Sequence, residues 1–395
     1  MKLFLEIKDK NLFFVAGEYN ENLDFIVIEK FEVNATGIQD GKIINIEKIS
    51  EILKYSLEQI EIKVKYTFKY INIILNQKKI DCINVTGFKK LNGSLILKED
   101  ISHIINNLQK SILETEVNKK IIHVFNTKYN LDNIEIKNLP IGLYGELYVH
   151  QLTFFLLNIN DFKNIKLLLN RCNLNLGRII LKPYTDGVNL IKKNKDLETF
   201  ININLEKDNI DITIFNNSSF SYYQNFKFGF EIIIKDLIKV CSLQYESALK
   251  ILSEINISNI VAEDRQEFID KKYFINESYR KISISHVKNI VEDRVEELVN
   301  IIYNKNINLH LLKSTNVKVF ITTDSSNFIK NLKDIFLNSF TNKEIVDMTL
   351  KTRDEHLDSC LAAAYLVNNG WSKEAIPFTK NKETLISRIF AKLFS

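Results

Sequence analysis

The side chains that most often carry chemistry are scattered through this chain. Cys82, Cys172, Cys241 and Cys360 lie far apart and form no C-x-x-C pair. They read as reduced, mostly buried thiols. His103, His123, His150, His286, His310 and His356 make neither H-x-x-x-H nor H-E-x-x-H, so no metal site is expected. A backbone cradle for phosphate is also missing. The chain has no G-x-G-x-x-G and no G-x-x-x-x-G-K-[ST]. It holds 11 Gly and 3 Pro in 395 residues, against usual usages of roughly 7% and 5%. Few of its backbone N–H groups can therefore approach an anion closely. Lys8-Asp9-Lys10 can meet a phosphate by charge alone, although such a turn is usually a solvated hairpin tip.

The C-terminal residues carry the clearest local pattern. Leu385, Ile386, Ile389, Phe390, Leu393 and Phe394 recur at i, i+1, i+4, i+5, i+8 and i+9, one continuous apolar stripe on a helix. Lys382, Arg388 and Lys392 flank it, with Glu383 as the one acid. This suits a helix lying in the plane of a membrane with its basic residues at the headgroups. A last helix docked on the body would look the same.

The bulk numbers bound the rest. The chain is 45% hydrophobic and 26% charged, with a net charge of +4. That balance is too weak to argue for nucleic acid and leaves a mild bias toward an anionic membrane surface. There is no run of 18 apolar residues to span a bilayer and no signal peptide, which points to the cytosol. The length predicts two or three domains.

These residues need elements to position them. Leu3–Val15 predicts two short strands, Phe25–Val33 a third, Ile46–Tyr66 a helix and Tyr70–Leu75 a strand, an α/β layout. From about Thr86 to Leu157 the pattern changes to an α+β module. It comprises a short strand at Ser94–Leu97, a helix at Lys98–Leu113, and strands at Lys120–Asn126, Asn133–Lys137 and Glu146–Phe154. A helix at Asp161–Cys172 and a strand at Gly177–Leu181 follow. Phe200–Leu205 and Ile210–Phe215 form a hairpin-like pair, and Phe230–Asn256 holds two helical segments. Ile284–Tyr303 is a long helix, Lys318–Thr322 a strand, and Phe328–Phe336 and Asp358–Val367 further helices. Asn368–Asn381 reads as a linker.

Several stretches, in order, resemble the bacterial cell-division family FtsA of the actin-like ATPase superfamily. Thr36–Glu47 (TGIQDGKIINIE) resembles the family's S-x-G-I-x-x-G-x-I-x-D-I-E, and Leu139–Gly145 (LPIGLYG) its x-P-I-G-M-S-G, with Val149-His150 following. Leu168–Pro183 is similar to its helix–strand passage toward L-E-P. Val291–Leu298 (VEDRVEEL) resembles I-E-x-R-V-E-E-L, and the tail resembles the family's membrane-targeting helix. The resemblance implies an α/β, actin-like two-lobed fold with an inserted small α+β domain, called 1C and SHS2-like, and a C-terminal amphipathic helix. On this reading residues 1–85 begin lobe 1, 86–157 are the insertion and 158–190 continue lobe 1. Residues 191–367 form lobe 2, closing back onto lobe 1 near 358–367, 368–381 are a linker and 382–395 the membrane helix.

The departures fall where the family holds its nucleotide. Its D-I-G-T-S-K aligns with Glu6-Ile7-Lys8-Asp9-Lys10-Asn11. Its D-I-G-G-G-T-T-D aligns with Asn204-Leu205-Glu206-Lys207-Asp208-Asn209-Ile210-Asp211. Two carboxylates replace glycines beside the expected phosphates and would repel them. The family's G-G-x-x-I-T-x-D-I appears from Gly229 to Leu237, keeping Gly229 and Asp236. The two polar positions of E-E-A-E-x-x-K that face adenosine have become Leu249 and Leu252. G-G-G-S near the adenine aligns with Thr322-Thr323-Asp324-Ser325. Gly37, Gly41, Gly142 and Gly145 survive at family positions elsewhere. The expectation is therefore a degenerate nucleotide site and no ATPase activity. ATP and Mg would bind only if Glu6, Lys8, Lys10, Asn204, Asp208, Asp211, Gly229 and Asp236 still serve. The remaining role is to tether the FtsZ ring at the cytoplasmic face of the inner membrane, at the division site. Leu385, Ile386, Arg388, Ile389, Phe390, Lys392, Leu393 and Phe394 would meet anionic lipid, and Arg294 and Glu297 the FtsZ C-terminal peptide. The insertion would mediate self-association, and downstream divisome proteins would be recruited. A working actin-like ATPase with an unusual cleft, or a PilM-like pilus-assembly scaffold, are the alternatives.

Overall fold

The computed structural model describes residues 1–8, 10–255, 257, 267–309, 317–323, 326–341, 345–350 and 355–375. Strands β1 (Lys2–Lys8), β2 (Asn11–Tyr19) and β3 (Phe25–Asn34) open the chain. The two-residue strands β4 (Ile38–Gln39) and β5 (Lys42–Ile43) lead into α1 (Ile46–Val64). Then come β6 (Tyr70–Leu75), β7 (Asp81–Lys90), α2 (Lys98–Thr115), β8 (Lys119–Leu131), β9 (Ile134–Ile136) and β10 (Leu147–Asn158). Helix α3 (Ile159–Arg171), β11 (Asn175–Leu181), α4 (Lys182–Lys193), β12 (Phe200–Leu205), β13 (Ile210–Asn216) and β14 (Ser219–Phe226) follow. The rest is α5 (Glu231–Cys241), α6 (Tyr245–Glu254), α7 (Ile284–Val299), β15 (Lys318–Thr323), α8 (Ser326–Ser339), β16 (Val346–Leu350) and α9 (Glu355–Asn369). The chain divides into two compact units. One holds 1–198, 215–223 and 353–395, and the other 199–214 and 224–352.

In the first unit a mixed sheet runs β11-β6-β1-β2-β3, with β6 parallel to β1 and β11. Ile71 through Leu75 of β6 are all buried, as expected of a parallel strand covered on both faces. Helix α1 buries Ile49, Leu53, Leu57 and Ile60 along one face. Asn45 caps it by accepting from the Lys48 N–H at 3.0 Å, which satisfies one orphan donor of the first turn. The β4–β5 turn requires glycine: Gly41 has φ +71°, and a Cβ there would stand 2.4 Å from the Asn76 carbonyl.

The insertion forms its own sheet, ordered β7-β10-β8-β9. Ile101, Ile104, Ile105 and Ile112 of α2 join Val124, Tyr129, Leu131, Tyr148, Leu152 and Phe154 in one apolar cluster. The strand expected at Ser94–Leu97 is only a single bridge, Leu95 to Tyr144. Strand β7, unforeseen, pairs along β10 over ten residues. Residues 215–223 belong with this unit through Phe220, whose ring stacks on Phe155 at 4.0 Å.

The second unit is built on the parallel strands β12, β15 and β16, in that order. The hairpin and the two helices expected between 200 and 256 are present as β12, β13, α5 and α6. Helix α7 ends four residues short of the expected Tyr303, and Asn300–Asn304 widen into a π-helical turn. Among the described residues no helix is long and apolar enough to cross a membrane.

Candidate functional site

In the second unit the turn between β12 and β13 closes on itself. The Glu206 N–H donates to the Asn209 carbonyl at 2.9 Å. The Glu206 and Lys207 carbonyls in turn accept from the N–H groups of Phe230 (3.2 Å) and Glu231 (3.0 Å) at the start of α5. Gly229 permits this contact, since a Cβ there would lie 2.0 Å from the Glu206 carbonyl oxygen. Two of the amides that a helix N-terminus would offer an anion are thus already bonded to carbonyls.

The side chains of the turn pair among themselves. Lys207 Nζ donates to Tyr245 Oη at 3.1 Å and stands 3.6 Å from the Glu231 carboxylate, and Tyr245 Oη donates to Glu231 at 3.2 Å. The hydrogen bond to Tyr245, with Glu231 close by, raises the Lys207 pKa. Asn204 Nδ2 donates to Glu206 Oε1 at 2.9 Å, and the buried Asp211 accepts from Asn225 Nδ2 at 2.8 Å. Asp208 is exposed. A triphosphate brought to this turn would meet carboxylates and bonded amides. On α6, Leu249 is exposed and Leu252 buried. Thr323 is buried, and Asp324 and Ser325 lie outside the described residues.

In the first unit Glu6 is wholly buried, and among the described residues neither carboxylate oxygen makes a hydrogen bond. His356 Nδ1 stands 3.0 Å from Oε1 without the angle of a hydrogen bond. Lys182 is a buried cation of this region. Its side chain is 4% exposed, and its Nζ lies 2.8 Å from both Asp186 and Glu355 and 3.0 Å from Ser359 Oγ. Burial opposes the ammonium charge, yet Asp186, Glu355 and Glu6 outweigh it and hold the pKa well above the usual lysine value. Lys182 occupies the place of the acid in the L-E-P passage. The available signals were Pro183 at a helix start and Asp186 at i+4, but nothing in the sequence marked Glu355 as the second partner. Lys8 is half-buried, and Lys10 sits exposed with φ 67° at a hairpin tip, its carbonyl accepting from the Ala35 N–H at 2.6 Å.

Arg294 and Glu297 line a groove of about 380 Å³ in the second unit with Phe228, Ile232, Lys235, Asp236, Leu298 and Ile301. The Arg294 guanidinium pairs with both Asp236 and Glu297. Asp236 therefore holds the groove arginine. His150 is buried in the insertion, where Nε2 bonds Asn126 Oδ1 at 2.9 Å and Nδ1 has no partner among the described residues. Burial pulls its pKa down to about 4. The expected membrane-facing residues from Leu385 to Phe394 lie outside the described residues. Among the described residues no cluster of His, Cys, Asp or Glu could hold a metal ion.

A family profile described as the SHS2 domain inserted in FTSA matches residues 78–150. A curated cell division protein FtsA from Buchnera aphidicola subsp. Schizaphis graminum is 23% identical over 305 residues, 76% of this chain and 72% of that relative. A second, from Buchnera aphidicola subsp. Acyrthosiphon pisum, is 25% identical over 248 residues, 62% of this chain and 58% of that relative. Among solved structures, the PilM-PilN type IV pilus biogenesis complex aligns with a TM-score of 0.53 at 8% identity, covering 94% of this chain and 97% of that one. At that identity the likeness concerns the fold alone.

Proposed function

We propose that this chain, which belongs to the FtsA family as a divergent member with an actin-like fold and an inserted SHS2 domain, is a membrane tether that works by binding and does no nucleotide chemistry. The observation that carries this reading is the self-bonded turn at Glu206–Asn209. Its carbonyls occupy the first amides of α5, and its lysine is tied to Tyr245 and Glu231. On this reading polymer assembly follows the concentrations of lipid and partner, with no nucleotide to time it.

The tether has three contacts. The apolar stripe from Leu385 to Phe394 enters the outer layer of an anionic inner-membrane surface, with Arg388 and Lys392 at the headgroups. Each Leu, Ile or Phe is worth about 1.5–3 kcal/mol on full burial, so one partly immersed helix binds reversibly. Self-association through the insertion links many tails, which strengthens attachment by about 10²–10⁴ without new contacts. The Arg294 groove supplies the third contact: an apolar floor of Phe228, Ile232, Leu298 and Ile301 beside Lys235 and Arg294. That groove suits an apolar peptide such as the C-terminal segment of FtsZ; Arg294 meets an acid of that peptide only by leaving Asp236 or Glu297. Recruitment of downstream divisome proteins follows from the location this creates.

Two measurements test the proposal. Isothermal titration with MgATP gives no heat of binding; micromolar affinity with turnover would restore the ATPase reading. A fluorescent FtsZ C-terminal peptide binds the wild type and loses at least tenfold affinity to Arg294→Glu. Equal affinity for both removes the groove from the account. The pilus-scaffold alternative rests on fold likeness alone.

A further inference from the structure

Residues 371–375 were expected to be linker, but they are built into the first unit. Beyond α9 the Trp371 Nε1–H donates to the Ser218 carbonyl at 2.7 Å. The Asn126 N–H donates to the Lys373 carbonyl and the Ala375 N–H to the Val124 carbonyl, both at 2.8 Å. Phe125 and Glu374 face each other as an antiparallel bridge. Strand β9 covers β8 only from Tyr129 to Leu131. Residues 373–375 therefore add a short strand along the earlier part of the β8 edge, inside the inserted domain.

One acid pins this strap. The Glu374 side chain is 3% exposed, and the Arg178 guanidinium of β11 donates to both of its oxygens. His123 Nδ1 of β8 is 2.8 Å away, and Tyr184 Oη of α4 is 3.4 Å away. His123 Nε2 accepts from the Leu181 N–H at 3.3 Å, so Nδ1 carries the proton and donates to Glu374. Burial opposes the Glu374 charge, but His123 and Arg178 outweigh it and keep the carboxylate ionised. Arg178 also donates to the Leu366 carbonyl at 3.0 Å. The insertion, the central sheet and the end of α9 thus meet at one carboxylate.

We infer that residues 371–375 are a joint that delivers the tail's hold on the membrane to the inserted domain, with Glu374 as its pin. This rests on the tail reading above. From Ala375 to Lys382 is seven residues, which span at most about 25 Å extended. While the strap is seated, the edge of the insertion is held within about that distance of the point where the tail enters lipid. If it peels back to Gly370, twelve residues span at most about 43 Å, and the insertion loses its register with the membrane.

The test uses the full chain with a donor dye at position 135 on β9 (Glu135→Cys) and acceptor lipid in anionic vesicles. Cys82→Ser removes the one thiol that is not buried. Glu374→Gln keeps the shape and removes the charge that holds Arg178. Its amides at Asn126 and Ala375 exchange at least tenfold faster than in wild type, while those of α1 are unchanged. It binds vesicles as well as wild type, but with lower energy transfer. A six-residue Gly-Ser insertion after Ala375 lowers the transfer in the same way with the strap amides still protected, so the result does not depend on how well Glu374→Gln folds. Equal transfer from wild type and both variants at equal binding overturns the joint alone. Failure of the wild type to bind vesicles overturns the tail reading and, with it, the joint.

Discussion

Two lysines, one in each unit, stand beside carboxylates, and they teach different things. Lys182 is 4% exposed and sits among Asp186, Glu355 and Glu6. Lys207 is 52% exposed and leans on Tyr245 and Glu231. Each places a cation beside carboxylates, but burial decides what the pair is for. In the first, desolvation makes each charge dependent on the others, so the cluster is part of the architecture. In the second, water screens the pair, and the turn's backbone bonds to α5 fix its shape.

The comparison can be broken by substitution. Lys182→Met leaves acids without their cation and lowers stability by about 2–4 kcal/mol in denaturant unfolding. That is below the full buried-pair penalty, because Asp186 and Glu355 keep some solvent. A loss under about 1 kcal/mol would put Lys182 in the same class as Lys207. A buried group with no counter-charge among the described residues sharpens the point. His150 has its pKa drawn down to about 4, against about 6.5 in the unfolded chain. The unfolded state therefore takes up the proton first as pH falls. The His150 contribution is complete above pH 6.5 and is lost between there and pH 4, amounting to about 3 kcal/mol. His150→Gln flattens the unfolding-stability curve over that window; an unchanged pH slope would assign it to other groups. Lys207→Ala changes stability by less than about 1 kcal/mol, in keeping with exposed pairs. The smallest effect is none: saturating MgATP leaves the melting temperature unmoved, whereas a ligand at a hundred times its Kd would add about 2.7 kcal/mol.

Much of the frame was legible because its signals are local. The periodic face of Ile49, Leu53, Leu57 and Ile60, the apolar run of β6 and the β12–β13 pair could be read from spacing alone. Strand β7 was not. Asp81–Lys90 mixes Asn84, Thr86, Lys89 and Lys90 among its apolar residues, and only pairing with β10 makes it a strand. Helix α4 was missed because Thr185-Asp186-Gly187 resembles a turn, although Pro183 was a fair start signal. The buried charges were hardest. Lysine and glutamate are almost never buried unless paired, and their partners are remote in sequence. Lys182 meets Glu355, and Glu374 meets Arg178 and His123. No window of residues contains those pairs, so 371–375 read as linker. The turn at Glu206–Asn209 was legible in kind, as carboxylates and lysine where glycines belonged. Its closure on α5 depends on Gly229, twenty residues further on.

The central claim is that attachment comes from the tail and needs no nucleotide. Co-sedimentation with anionic vesicles tests it directly, comparing the full chain with one ending at Asn381, each with and without MgATP. The account predicts that the full chain pellets, the shortened chain stays in solution, and MgATP changes neither. Equal pelleting of the two chains, or pelleting that requires MgATP, would contradict it.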